Sequence, residues 1–469
     1  ITNDGATIML SIKTVHPVAK LAVEIADRQE TKVGDGTTTA VVLAAEMIKE
    51  GKRLIVDMGI HPTLIVRGIE SGIQRSIELF KQMAIKINMN DASLAQVIST
   101  AAGSRMDGDQ VVSLVSDALN FLKNPKGEKG TINLKKSIFL INNPMLDDMV
   151  FDGIVIQNQL FDQQIPSHLD NVKAILLKID LKEIKESLVK EVRNYDEIVR
   201  MKESQTKMIK ELSDSICKTG AGIVFITSSN VDEQLLSNLL EKNVLMIHVS
   251  NEELLNIASA LDVQVVRRKE DMEKILVGTF KRVYYDEENG LFFLENHAQR
   301  KLVTIIISGV TKVTSQERWR AVKDGISAAQ SALNDGIVAG GGAVELCISE
   351  KLKEESSNSG VDSMGIEVVA HALSSIMRQI LTNSGFNGFE KMTEIRNKSG
   401  EYGIDISTGK VGNMFAAGVV DSAGIKINAL KSAAEIVKAV LRIDRILIAH
   451  SPHNAVVGKS ANETNFNDK

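Results

Sequence analysis

Cysteine is nearly absent. Cys217 and Cys347 stand far apart and beside no His-rich spacing, so buried free thiols are expected rather than a disulfide or a metal site. Aromatic residues are scarce as well, at 4% of the chain. No Lys/Arg block stands out against a formal net charge of −5, which argues against a nucleic-acid backbone or an anionic membrane as the main partner. No apolar run approaches the roughly 18 to 20 residues needed to cross a bilayer, and the opening residues lack the layout of a signal peptide. What remains is a globular, cytoplasmic protein of ordinary composition, 43% hydrophobic and 25% charged. At about 150 residues per domain, 469 residues suggest about three domains. The chain opens on Ile1, and "ITNDGATI" reads as a strand and turn already under way, so a preceding segment is expected.

Texture divides the chain in three. In residues 1–89, "HPVAKLAVEIADRQ" carries Val18, Leu21, Ala22 and Ile25 at helical spacing. Further helices are expected from Thr37 to about Lys52 and from Pro62, a proline at a first turn, to about Ile87. The pattern stays helical from Asp91 to Leu122, and "NPKGEKGTINL" then gives a loop and a short strand. Between Gly153 and Thr304, β-branched runs such as "KAILLKI", "GIVFITSS", "VLMIHVS" and "VTIIISG" alternate with helices, as in an α/β domain. From Glu317 helices dominate again, and the tail "GKSANETNFNDK" is polar enough to read as disordered. The same helical, Gly-punctuated texture at both ends suggests one domain built from both termini, with the middle inserted into it.

Two glycine-rich stretches open helices. In "VGDGTTTAVV" a helix starting near Thr37 presents unpaired N–H groups and its positive dipole end. Gly34 and Gly36 let backbone approach a phosphate, and Thr37, Thr38 and Thr39 add hydroxyl donors. Asp35 would repel a bare phosphate, so it makes best sense with a divalent cation bridging it to the oxygens, as Mg²⁺ with ATP does. A capped helix after a tight turn is the plain alternative. In "IVAGGGAVEL", Gly340, Gly341 and Gly342 either form a flexible linker or admit a base or ribose closely. Asp4 lies in what looks like a hairpin turn, and Asp324 near the start of a helical stretch, where an acid is ordinarily a surface charge. The late "VGKS" is no phosphate loop, because its required first glycine falls at His453.

The order NDGATI, GDGTTTA, an acid ahead of NDGIVAGGGAVEL, then GVVDSAGIKINAL closely resembles the chaperonin subunit family, from Ile1 to about Arg445. The resemblance implies a multi-domain fold. A mostly α equatorial domain would be built from both termini (1–89 and 335–469), with a small α/β intermediate domain (90–152 and 305–334). An α/β apical domain (153–304) would carry a helical protrusion near 185–208. It also implies roles. Asp35 would bind the metal; Gly34, Gly36, Thr37, Thr38 and Thr39 the phosphates; Gly340 and Gly341 would approach the nucleoside, and Asp421 the ribose. Asp4 and Asp324 would orient and activate the attacking water, with Asp324 arriving only when the intermediate segment swings down.

The segment leading into "KTGAGIVFITSSNVDEQ" resembles the built-in lid of thermosome-like, group II members. Asn194 or Asp196 would cap a helix holding Ile198, Val199, Met201, Met208, Ile209 and Leu212. An ordinary surface helix is the alternative. The implied protein is an ATPase subunit of a double-ring cage. It would enclose unfolded polypeptide, form a homo-oligomer, and need no separate co-chaperonin, nucleic acid or membrane. A chaperonin-like scaffold with weak ATPase and a metabolic phosphotransferase are the rivals. Three features depart from the family: no Leu-Gly-Pro loop precedes the NDG turn, Gly325 stands where alanine is usual, and the tail is polar rather than Gly-Met-rich.

Overall fold

The computed structural model describes residues 5–443 except 15, 104–106, 123–132, 145, 158–167, 180–194, 230, 269–270, 272–276, 296–301, 358–359 and 397. Its helical ends come first in the chain. Helices α1 (Gly5–Ser11), α2 (Pro17–Lys32), α3 (Thr37–Val56) and α4 (Pro62–Met83) follow one another closely. Pro62 opens α4, and His61 Nδ1 caps it by accepting from the Thr63 N–H at 3.3 Å. Ile65, Ile69, Ile73, Ile77 and Phe80 then fall on one buried stripe.

Two expectations fail here. Gly5–Ser11 is helical, not a strand or hairpin. Among the described residues no strand edge is paired with it, and a helix satisfies its own backbone. The fourth helix stops at Met83 rather than near Ile87, because Ile85 exchanges backbone hydrogen bonds of 2.9 Å with Ile337.

Next come α5 (Ser93–Ala102), α6 (Gly108–Leu122), and a single turn α7 (Leu134–Ser137) leading into β1 (Ile138–Asn142). The strand expected from "NPKGEKGTINL" is this β1, which begins after that stretch, with a helical turn before it. Strands β2 (Met149–Phe151) and β3 (Gly153–Gln157) enter the middle of the chain. There β4 (His168–Leu177), α8 (Tyr195–Lys218), β5 (Ile223–Ile226), α9 (Glu233–Leu240), β6 (Leu245–His248), α10 (Asn251–Leu261), β7 (Gly278–Asp286) and β8 (Leu291–Glu295) build a six-stranded sheet. Its order is β3-β8-β7-β4-β5-β6. The β4-β5-β6 half is parallel and buried on both faces, as helical crossovers require. Ile175, Val224 and Met246 face Leu212 and Ile216 of α8, while Leu176, Phe225 and Ile247 face Leu254 and Ile257 of α10. The β7, β8 and β3 half is antiparallel, so the α/β alternation read from sequence holds for only part of this sheet. Residues 185–194 of the expected protrusion lie outside the described residues; α8 begins at Tyr195.

The chain returns through β9 (Val303–Ile307), which joins β1 in parallel and β2 antiparallel in a separate three-stranded sheet. A 24-residue helix, α11 (Lys312–Asp335), leads from there to β10 (Ile337–Ala339). Then follow α12 (Ala343–Ser356), α13 (Ser363–Asn383), α14 (Gly388–Ile395), the hairpin β11 (Tyr402–Asp405) and β12 (Lys410–Asn413), β13 (Val420–Ser422) and α15 (Ala423–Val440). One hydrophobic core draws on residues 25–80 and 338–441 together. At its centre α4 crosses α13 on bare backbone: a Cβ on Gly365 would strike Gly68 and the Ile65 carbonyl. Gly325 has a similar reason, since a Cβ there would lie 3.1 Å from Ile98 of α5. Both cysteines are free and only half-buried, short of the burial expected. Among the described residues no helix is long and apolar enough to cross a membrane.

Candidate functional site

Segments distant in sequence meet around the start of α3. Gly34 (φ +82°) and Gly36 (φ +79°) flank Asp35 in left-handed backbone that a side chain would strain. A Cβ on Gly34 would stand 2.6 Å from Ser327 Oγ, and one on Gly36 2.7 Å from Ile425 Cγ2. The turn is therefore pressed between α11 and α15. Gln29, buried in α2, donates to the Asp35 carbonyl at 2.8 Å, and Asp35 Oδ1 accepts from the Gly36 N–H at 2.6 Å. Gly36, having no side chain, gives α3 no side-chain N-cap of its own. Thr37 is buried, Thr38 exposed and Thr39 half-buried. The Thr37 and Thr38 hydroxyls abut Gly5, which brings the start of α1 to the same turn. Asp4, one residue earlier, lies outside the described residues.

The third partner is α11. Asp324 is 7% exposed and sits three residues before Ser327, hence one helical turn from the contact with Gly34. Beside it Lys323 Nζ meets Glu30 Oε1 at 2.7 Å. Lys135 of α7 donates to the Val33 carbonyl at 3.1 Å; burial, then the nearby Lys323, push its ammonium below the usual lysine range. The helix bearing Asp324 thus already touches the turn.

The Gly340–Gly342 run forms a second group. Gly341 (φ +63°) and Gly342 (φ +81°) are left-handed, and a Cβ on Gly342 would stand 2.9 Å from the backbone of Met377. Strand β10 pairs antiparallel with β13, setting Val338 opposite Asp421. Asp421 Oδ2 lies 3.2 Å from the Cβ position of Gly340. It does not stand alone: Lys426 Nζ is 2.7 Å from Asp421 Oδ2 and 2.7 Å from Glu345 Oε1. Glu345 is 1% exposed, and neither of its oxygens receives an aligned hydrogen bond, so its link to Lys426 is an ion contact. Burial opposes the charge of Lys426, yet the two carboxylates hold its pKa above the usual lysine value. Sequence reasoning missed Glu345 and Lys426. The available signal was a lone charge in each of two apolar helix starts, "AVEL" and "AGIKINAL".

The groups are joined. Ser422 Oγ of β13 and Ser331 Oγ of α11 are 2.8 Å apart, and adjacent residues of α15 serve both motifs, Ile425 at Gly36 and Lys426 at Asp421. A polar cleft of about 390 Å³ borders this ground, lined among others by Lys32, Val33, Lys135, Ser327, Ser331 and Asp335; Asp35, Asp324 and Asp421 are not in its wall. Among the described residues, no three His, Cys, Asp or Glu side chains group as metal ligands.

Comparison with known proteins identifies the family and the fold. Residues 1–451 match the TCP-1/cpn60 chaperonin family. A thermosome subunit of Methanocaldococcus jannaschii is 30% identical over 465 residues, 96% of this chain and 85% of that protein. One from Methanothermococcus thermolithotrophicus is 29% identical over 468 residues, with the same coverage. Among solved structures, a group III chaperonin in the open state superposes with a TM-score of 0.77 at 24% identity, covering 95% of this chain and 91% of that one. An open-state group II chaperonin monomer from Methanococcoides burtonii gives 0.64 at 22%, covering 88% and 100%. At those identities the structures speak for the fold.

Proposed function

The chain belongs to the TCP-1/cpn60 chaperonin family as a thermosome-like subunit, and we propose that it hydrolyses ATP to shut a double-ring cage around unfolded polypeptide. The observation that carries this reading is the contact of Gly34 with Ser327, which sets the phosphate-type turn one helical turn from Asp324.

Each residue has a part. The first N–H groups of α3, with the hydroxyls of Thr37, Thr38 and Thr39, bind phosphate oxygens. Gly34 and Gly36, packed against Ser327 and Ile425, hold the left-handed turn that offers bare backbone to a phosphate. Asp35 would hold Mg²⁺ together with phosphate oxygens, and the bound ion would neutralise phosphate charge. Asp324, a shielded carboxylate, takes the proton of the attacking water, and Asp4 orients that water. Gly340 and Gly341 pass close to the nucleoside, and Asp421 accepts from its ribose.

The equatorial (1–89, 335–469), intermediate (90–152, 305–334) and apical (153–304) boundaries are part of the proposal. So are a lid carried by α8, homo-oligomeric rings and a cytoplasmic setting. Apical apolar surface would hold clients until closure replaces it with an enclosed chamber. Rings that reuse one heterologous interface need a single gene product. The test is steady-state phosphate release by the purified protein with Mg²⁺ and ATP. Turnover that Asp324→Ala abolishes supports the reading. Absence of turnover, or turnover indifferent to Asp324→Ala, returns the protein to the scaffold class.

A further inference from the structure

The glycine run carries more machinery than contact with a nucleoside requires. Lys426, Asp421 and Glu345 form a group of two carboxylates and one ammonium, net −1, with Lys426 Nζ 2.7 Å from each acid. The members differ in access. Glu345 is 1% exposed, whereas the Asp421 side chain is 22% exposed and borders Gly340. The excess negative charge can therefore meet a ligand only through Asp421. Of the elements packed nearby, α5 presents the uncharged Thr100 to Val420 and Gln96 to Gly418, while α11 brings one further carboxylate, Asp335, against Gly424. Lys426 and Glu345 come from the first turns of α15 and α12, the helices that begin just after Asp421 and just after the glycines.

We propose that Lys426 and Glu345 are positioning residues for nucleotide binding, Lys426 aiming Asp421 and Glu345 offsetting the charge of Lys426 so that Asp421 still accepts from the sugar hydroxyls. This rests on the reading of Asp421 as the ribose acceptor. The logic is charge balance. Without Lys426 the carboxylates of Asp421 and Glu345 lose the cation between them, and a proton taken up by the pair turns an acceptor into a donor. Without Glu345 as well, a single ionised Asp421 remains and the net −1 is restored.

The experiment measures KM and kcat for ATP and for 2′-deoxy- and 3′-deoxy-ATP from pH 6.5 to 9, on the purified full chain. Asp421→Asn tests the underlying reading: KM for ATP should rise about tenfold and discrimination against the deoxynucleotides should vanish. If neither happens, the ribose reading fails and the inference with it. Given that result, Lys426→Met should raise KM about tenfold at pH 7, with recovery toward pH 9 as the shared proton leaves and kcat changed less than about threefold. Lys426→Met with Glu345→Gln should restore a wild-type KM that is flat with pH. A KM increase in Lys426→Met that is indifferent to pH, or a double variant resembling Asp421→Asn, overturns the inference. Should Lys426→Met not fold, the double variant decides alone, because it keeps the native charge.

Discussion

The turn at Gly34–Gly36 and the run at Gly340–Gly342 use one backbone device for two chemistries. Each ends in a left-handed glycine, Gly36 at φ +79° or Gly342 at φ +81°, that starts a helix without a side-chain cap. Two other helices carry reciprocal caps instead: Ser250 with Glu253 and Thr311 with Thr314 form boxes. The two glycine motifs differ in what backs them. Behind the first lie hydroxyls, a half-exposed Asp35 and the movable Ile425 side chain. Behind the second lie the Met377 backbone and a buried ion triad. A polyanion is best met by N–H groups and a cation, whereas hydroxyl donors are best met by a fixed carboxylate. The contrast follows from those two needs.

The sharpest way to break the contrast is at the shared wall. Asp324→Ala should lower turnover at saturating ATP by about 10²- to 10⁴-fold while nucleotide still binds, as read by phosphate release beside equilibrium binding. Loss of binding instead would put Asp324 among the phosphate ligands. Next comes the pair of glycine substitutions. Gly342→Ala, crowding main chain, should cost about 3 kcal/mol by denaturant titration. Gly36→Ala, crowding one methyl group, should cost only about 1 to 2 kcal/mol yet weaken ATP binding at least about tenfold. The reverse ranking would erase the distinction between the motifs. Thr38→Ala should raise KM about tenfold with a nearly unchanged melting temperature, because the residue is exposed and its hydroxyl abuts the bare backbone of Gly5. Smallest is Lys323→Met, which breaks a partly exposed pair with Glu30; a loss under about 1 kcal/mol is expected, shrinking in salt.

Local chemistry made much of this readable from sequence. The proline start of α4, the β-branched runs of β4, β5 and β6, and the Gly-Asp-Gly turn before α3 are specified by their neighbours in the chain. What was missed depends on partners far away. Ile85 abandons its helix for Ile337; Gly325 reads as a cost until Ile98 is seen against it; and Glu345, Asp421 and Lys426 share no local pattern. The first helix is the plainest case. An Asn-Asp-Gly turn promises a hairpin, but a hairpin needs a second strand, and none is paired with residues 5–11 among the described residues.

One rod runs through all of this. Near its start, Arg318 is clasped by Asp148, by Gln110 at 2.8 Å and by the Ser308 carbonyl at 3.1 Å. Ser327 rests on Gly34, fifteen residues from Lys312 and eight from Asp335. With Ser327 as fulcrum those arms measure about 22 Å and about 12 Å at the rise of an α-helix. Such a lever moves its long end nearly twice as far as its short end. A small tilt imposed where the glycine turn meets it would arrive at Lys312, just after strand β9 of the three-stranded sheet, as the larger displacement.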